Sequence, residues 1–308
     1  MTSPSYSISH ILCATDLSPS SEVAFTKSVA TAKCLGAKLT LVFVSASTDD
    51  NSAISSLFAM SREMKRLADD MLTRDTKALD GLVAKAQADG VDTTRLMLQG
   101  EPATEIANAA IDVDADLVVT ATHGREGLEK FLLGSVTERL VHTCTRPMMV
   151  ARNDGSHCEA GYRKILVPTD FSLRAGHALD VALALAAPDA EIELVHCWRL
   201  PIGVSGGPAS IVDSIRRSLA RDIRKRGQAE LKKINSDARL SFFAVEKAAG
   251  LGVTERAAAI GSELVVMGTH ARSGLSHFLL GSVAETVLHY AECSVIVVPN
   301  HAEKDALT

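Results

Sequence analysis

The chain has 308 residues, of which 46% are hydrophobic, enough to bury two cores of ordinary size. A formal net charge of −5 excludes a generic nucleic-acid binder, which carries a basic excess, and no apolar run reaches the roughly 18 residues of a membrane span. The cysteines form no CxxC and the opening MTSPSYSISH has no basic-then-apolar leader, so the expectation is a soluble cytoplasmic protein whose thiols serve as core side chains.

The first apolar run, Ile11–Ala14, ends in Thr15-Asp16, after which Ser18-Pro19 reads as a helix N-cap and first helical residue. Lys38–Ser45 reads as a strand. Met60, Met64, Leu67, Met71, Ala78 and Leu82 then mark one face of a long helix. Arg95–Gln99, Leu117–Thr120 and Met148–Val150 complete the strand set of the first half. The polar stretch Arg152–Arg163 is the natural linker, which gives a first domain over 1–151, a linker over 152–163 and a second domain over 164–308.

The second half repeats the scheme. Ile165-Leu166-Val167 leads to Thr169-Asp170 and Ser172, and Glu191–Trp198 answers Lys38–Ser45. Ile211, Ile215, Leu219 and Ile223 mark a helix, and Leu240–Val245, Leu264–Met267 and Val295–Val298 are the remaining strands. Short apolar strands alternating with helices predict an α/β fold: two tandem open-sheet domains, each a five-stranded parallel sheet with helices on both faces.

In such sheets ligands gather beyond the carboxyl ends of the strands, where helix N-termini converge. Residues 120–138 and 267–285 carry nearly the same string at an offset of 147, with eight of eleven residues identical from Leu128 to Glu138, so that end of the sheet is doubled. Each string runs into Gly134-Ser135 or Gly281-Ser282. Ser135 and Glu138, like Ser282 and Glu285, fit an S-x-x-E capping box, a purely structural device. A helix start with open N–H groups also suits a phosphate, and the preserved loop ahead of it favours the ligand reading.

These features together resemble the universal stress protein family, whose nucleotide-binding members carry G-x-x-G, nine residues, then G-S or G-T. The first copy reads Ala121-Thr122-His123-Gly124, nine residues, Gly134-Ser135; the second reads Gly268-Thr269-His270-Ala271, nine residues, Gly281-Ser282. Each departs at one glycine, and at a different one. The resemblance covers nearly the whole chain and implies a regulatory ATP pocket in one or both domains, with or without magnesium. It assigns Thr15, Asp16, Val44, Ala121, His123, Gly124, Gly134, Ser135 and Val136 to the first pocket. The matching set is Thr169, Asp170, Cys197, Gly268, His270, Ala271, Gly281, Ser282 and Val283. It further implies pairing of the two domains through their last strands within one chain, with a homodimer also open, and neither a nucleic-acid nor a membrane partner. Both sites are expected to accept ATP, the first more tightly, because Ala271 puts a methyl on the phosphate side.

Other signals carry less. His123 and His270 lack a second ligand at metal spacing, and no G-x-x-x-x-G-K-[ST] occurs, which removes the common NTPase mechanism. Ser205–Ser210 (SGGPAS) reads as a loop, and the basic run Arg216–Lys233 as a solvated helix face. No set of acid, base and nucleophile points to catalysis. The rival readings are a nucleotide-free interaction module with vestigial pockets, and a slow ATPase or phosphotransferase using Asp16 or Asp170 with a metal.

Overall fold

The apolar runs form strands and the segments of helical period between them form helices. The structure is a computed structural model that describes residues 6–45, 62–122, 133–155, 160–201, 203, 207–269 and 280–299. The first repeat gives β1 (His10–Ala14), α1 (Glu22–Leu35), β2 (Lys38–Ser45), α2 (Arg62–Ala88), β3 (Thr93–Gln99), α3 (Pro102–Asp112), β4 (Leu117–Ala121), α4 (Ser135–Thr143) and β5 (Met148–Ala151). The second gives β6 (Tyr162–Pro168), α5 (Leu173–Leu185), β7 (Ala186–Trp198), α6 (Ala209–Leu231), β8 (Arg239–Glu246), α7 (Ala249–Ile260), β9 (Leu264–Gly268), α8 (Ser282–Tyr290) and β10 (Ser294–Val298). Among the described residues no helix is long and apolar enough to cross a membrane.

The chain divides into two compact units between Arg146 and Pro147. In the unit Ile8–Arg146 the strand order is β3-β2-β1-β4 and every ladder is parallel. In the unit that runs from Pro147 onward the order is β5-β10-β9-β6-β7-β8, parallel except for β5 against β10. β5 lies in the second unit because its partners are there: Val150 pairs with Val295, and the Tyr162 hydroxyl points at the Met149 sulfur, 3.8 Å away. Asp154 continues the attachment by accepting from the Ser294 N–H at 3.1 Å.

Both strand orders turn around at the first strand of the repeat. β1 lies between β2 and β4, and β6 lies between β7 and β9, so each unit has a switch point where the crossovers leave in opposite directions. One carboxylate anchors the start of each of these strands. Asp116 Oδ2 accepts from the N–H groups of Ser9 and His10 at 2.8 and 3.0 Å, and Glu263 Oε2 accepts from Arg163 at 2.7 Å. The core follows from the apolar runs: Ile11, Leu12, Leu39, Leu41, Leu117, Val118 and Val119 are fully buried in one unit, as are Ile165, Leu166, Ile192, Leu264, Val265 and Val266 in the other. Each such side chain contributes about 1.5–3 kcal/mol by leaving water.

Two local expectations need correction. Helix α1 begins at Glu22, not after Ser18, because the Ser18 hydroxyl is drawn to Asp16 Oδ1 and the Ser21 N–H closes a turn on the Ser18 carbonyl at 3.1 Å. Ser172, by contrast, is the N-cap of α5 and accepts from the Ala175 N–H. Helix α2 turns Leu67, Met71 and Ala78 outward and buries Leu79 and Ala86, a stripe one residue further round that the same period permits; Met60 lies outside the described residues.

Glycine is obligatory at one turn in particular. Gly161, entering β6, has φ 101°, and a Cβ there would stand 2.5 Å from the Ala187 nitrogen, whereas Gly36 at φ 64° caps α1 with open space around it. Gly161→Ala should therefore destabilise by about 2–3 kcal/mol, adding overpacking to the left-handed penalty, and Gly36→Ala by only about 1 kcal/mol. Urea denaturation of the two variants beside the parent checks the order.

Candidate functional site

The chain leaves β1 and β6 through the same tight turn. Thr15 Oγ1 accepts from the Leu17 N–H and Thr169 Oγ1 from the Phe171 N–H, each at 3.0 Å. Asp16 Oδ1 then accepts from the Ser18 N–H, and Asp170 Oδ1 from the Ser172 N–H, again at 3.0 Å. The residue caught between these bonds is left-handed in both repeats, Leu17 at φ 59° and Phe171 at φ 62°. Bulky L-residues avoid that region at a cost of about 1–2 kcal/mol, so the two side-chain acceptors are what hold the turn. The turn leaves a carboxylate exposed at the carboxyl edge of the sheet.

Beside this turn in the first unit lies a cavity of about 460 Å³. Its walls come from the ends of β1, β2 and β4 and the starts of α3 and α4: Ala14, Thr15, Asp16, Val44, Pro102, Ile106, Thr120, Ala121, Thr122 and residues 134–137, with Ser21 behind. Thr137 Oγ1 donates to the Ala121 carbonyl at 2.9 Å and the Gly134 N–H donates to the Thr122 carbonyl at 2.8 Å, which fixes the start of α4 against β4. The N-cap of α4 is Gly134, with extended φ and ψ and no side-chain cap hydrogen bond, and Gly281 is the same in α8. Ser135 and Ser282 are thus first helical residues, one place beyond the cap, and the expected S-x-x-E capping boxes do not form. Their hydroxyls lie exposed, and the N–H groups of the first turn have no partner inside the helix. Arg139 of α4 reaches Glu101 at 3.0 Å while Glu101 caps α3 through the Thr104 N–H at 2.8 Å, bracing α4 against the start of α3.

Burial by itself would raise the pKa of Asp16. The hydrogen bonds donated by the hydroxyl and N–H of Ser18, with help from Ser21, outweigh it and hold the carboxyl below its usual value. It faces the cavity as an anion able to accept two hydroxyls.

The second unit has a matching but smaller cavity of about 120 Å³. Thr169, Asp170, Cys197, Gly268 and Val283 line it, together with Pro168, Arg174, Ala175, Val195, His196, Ala249, Val253 and Met267. Gly281 and Ser282 are not among its walls. His196 is held by a 2.7 Å contact between Nδ1 and the Thr169 carbonyl and sits 4.8 Å from the Phe171 ring. Burial pushes the Cys197 thiol up to about 11, so it stays protonated and apolar.

Of the residues assigned from sequence, Thr15, Asp16, Val44, Ala121, Gly134, Ser135 and Val136 share the first cavity. His123, Gly124, His270 and Ala271 lie outside the described residues. Sequence reasoning missed Pro102 and Ile106 at the start of α3 and the threonine pair Thr120 and Thr137. The helix-start proline was the available signal for α3; the threonines meet only through the fold.

A family model described as the universal stress protein family matches residues 7–152 and again 161–299. Among curated relatives, Universal stress protein Rv2005c of Mycobacterium tuberculosis is 30% identical over 193 residues, covering 61% of this chain and 63% of that protein. The chain thus spans less than two thirds of that relative's length. A putative universal stress protein of Staphylococcus saprophyticus is 34% identical over 144 residues, 47% of this chain and 83% of the relative. Among solved structures, a universal stress protein from Archaeoglobus fulgidus superposes with a TM-score of 0.67 at 18% identity, covering 96% of this chain and 97% of that one. At that identity the likeness is one of fold.

The depressed pKa of Asp16 yields a test of the turn. A carboxylate whose folded pKa lies below its unfolded value of about 3.9 adds stability above that value and loses it as pH falls through the folded pKa. Asp16→Asn should therefore be less stable than the parent at pH 6, and the gap should narrow progressively as pH falls below about 3.9. Denaturant midpoints of both proteins across that range report the difference.

Proposed function

The chain belongs to the universal stress protein family, and from that premise we propose that it binds an adenine nucleotide, ATP, as a regulatory ligand in a stress response. One observation carries the reading: seven of the nine residues assigned to the first pocket, from separate stretches of sequence, line a single cavity at the β1/β4 switch point. Its volume of about 460 Å³ falls within the ~300–1,000 Å³ typical of small-molecule sites. Val44, Pro102 and Ile106 offer an apolar slot for a base. Asp16 would accept ribose hydroxyls, and the open N–H groups of Ser135, Val136 and Thr137 at the positive end of α4 would receive phosphate oxygens. Donor and acceptor types thus run in the order in which a nucleotide presents base, sugar and phosphate.

The same reading treats ATP as a ligand to be sensed and not as a substrate, since none of these groups is arranged as an acid, base and nucleophile set. We also propose that the two repeats associate through their last strands within one chain, which the antiparallel β5–β10 ladder supports. A cytoplasmic setting accords with Cys13 and Cys144 as buried thiols outside any disulfide.

Calorimetric titration with ATP tests the proposal. Asp16→Ala should weaken binding about tenfold, roughly 1.4 kcal/mol. Ser135→Ala should change stability by less than about 0.5 kcal/mol, since Ser135 caps nothing, yet weaken ATP several-fold. Parent-like affinity in both variants would sink the assignment; phosphate release abolished by Asp16→Ala would favour an enzyme instead.

A further inference from the structure

The two cavities occupy equivalent places but are built from different chemistry. Where the first has Ser21 and Thr120, the second has Ala175 and Met267, and Ala284 takes the place of Thr137. These exchanges remove three hydroxyls from the neighbourhood of one cavity.

The cavities also differ in depth, for a reason visible in the backbone. Helix α5 starts at Leu173, which corresponds to Pro19, whereas α1 starts only at Glu22. The earlier start brings the Arg174 carbonyl close over the end of β9: a Cβ on Gly268 would stand 3.2 Å from it. In the first repeat Ala121 carries such a Cβ, and the chain opposite is still in the Ser18–Ser21 turn. Gly268 is thus the glycine that lets α5 close down on β9, and the sequence-based role beside a ribose is not needed to explain it. The space left, about 120 Å³, falls below the ~300 Å³ at which small-molecule sites begin, against about 460 Å³ in the first repeat.

We infer that the two repeats have parted in ligand class: the first takes one intact adenine nucleotide per chain, and the second takes only a flat, base-sized heterocycle. This rests on the nucleotide reading of the first cavity. In the second, Val195, Val253 and Met267 supply apolar faces for a ring, and the Asp170 carboxylate at the rim accepts from a ring N–H or amino group. The neutral Cys197 thiol adds apolar wall without charge. The sequence-based expectation that both sites accept ATP gives way to a stoichiometry of one.

The experiment uses the full chain and two probes, ATP and adenine. ATP titrated calorimetrically should bind with a stoichiometry near one, and adenine added to the ATP-saturated chain should give a further binding event without displacing ATP. Backbone amide resonances locate each ligand: ATP should move those of Val44 and Ala121, and adenine those of Cys197 and Gly268. An ATP stoichiometry near two overturns the inference, as do ATP-induced shifts at Cys197 and Gly268. Absence of an adenine event in the ATP-saturated chain, or adenine shifts confined to Val44 and Ala121, overturns it equally. If ATP does not bind at all, the proposed function falls and takes the first half of the inference with it; adenine shifts at Cys197 and Gly268 then still show a base-sized site in the second repeat.

Discussion

A single strained residue after each Thr-Asp pair sets the geometry on which both sites depend. Leu17 and Phe171 are held left-handed by two acceptors that precede them, the threonine hydroxyl taking their own N–H and the aspartate carboxylate taking the N–H of the next residue. Thr15 and Asp16 at that turn, with Ser21 just after it, form part of the cavity wall. The conformation costs about 1–2 kcal/mol, offset by hydrogen bonds of roughly 1 kcal/mol each, more where the acceptor is charged. One short segment therefore ends a strand, lines a pocket and places a carboxylate at its rim.

From that shared turn the repeats diverge by where the next helix begins. A three-serine turn in the first, Ser18, Ser20 and Ser21, keeps the chain engaged with Asp16 and with itself, the Ser18 and Ser20 hydroxyls lying 2.7 Å apart. In the second, Ser172 is free to cap, so α5 starts early and settles on β9. Helix capping and pocket volume are coupled here: a serine that caps its own helix shortens the loop that would otherwise leave room for a ligand.

Much of the fold was legible because strands buried on both faces must be continuous apolar runs. Lys38–Ser45 is the observed β2 to the residue, and Leu117–Thr120 and Val295–Val298 each lie within one residue of the observed ends. Helix starts were less so. Ser18 and Ser135 both look like caps, yet Asp16 claims one and Gly134 takes the cap position from the other. The face of α2 was misread because a 3.6-residue period admits adjacent stripes when apolar residues are spread around the helix, as Leu67, Met71 and Leu79 are. In the site, the strand-end residues could be named from the repeated motif. Thr120 and Thr137 could not, since they meet only through the fold and not by sequence spacing, and the α3 start was signalled only by Pro102.

The claim at the centre of this account is that the adenine ring lies between the end of β2 and the start of α3 in the first repeat. Photo-crosslinking with 8-azido-ATP, followed by peptide mapping of the labelled chain, tests it most directly. Label is expected on the peptide carrying Val44 or on that spanning Pro102 to Ile106, suppressed by excess ATP. Label confined to peptides outside the first cavity, or undiminished by ATP, would contradict it.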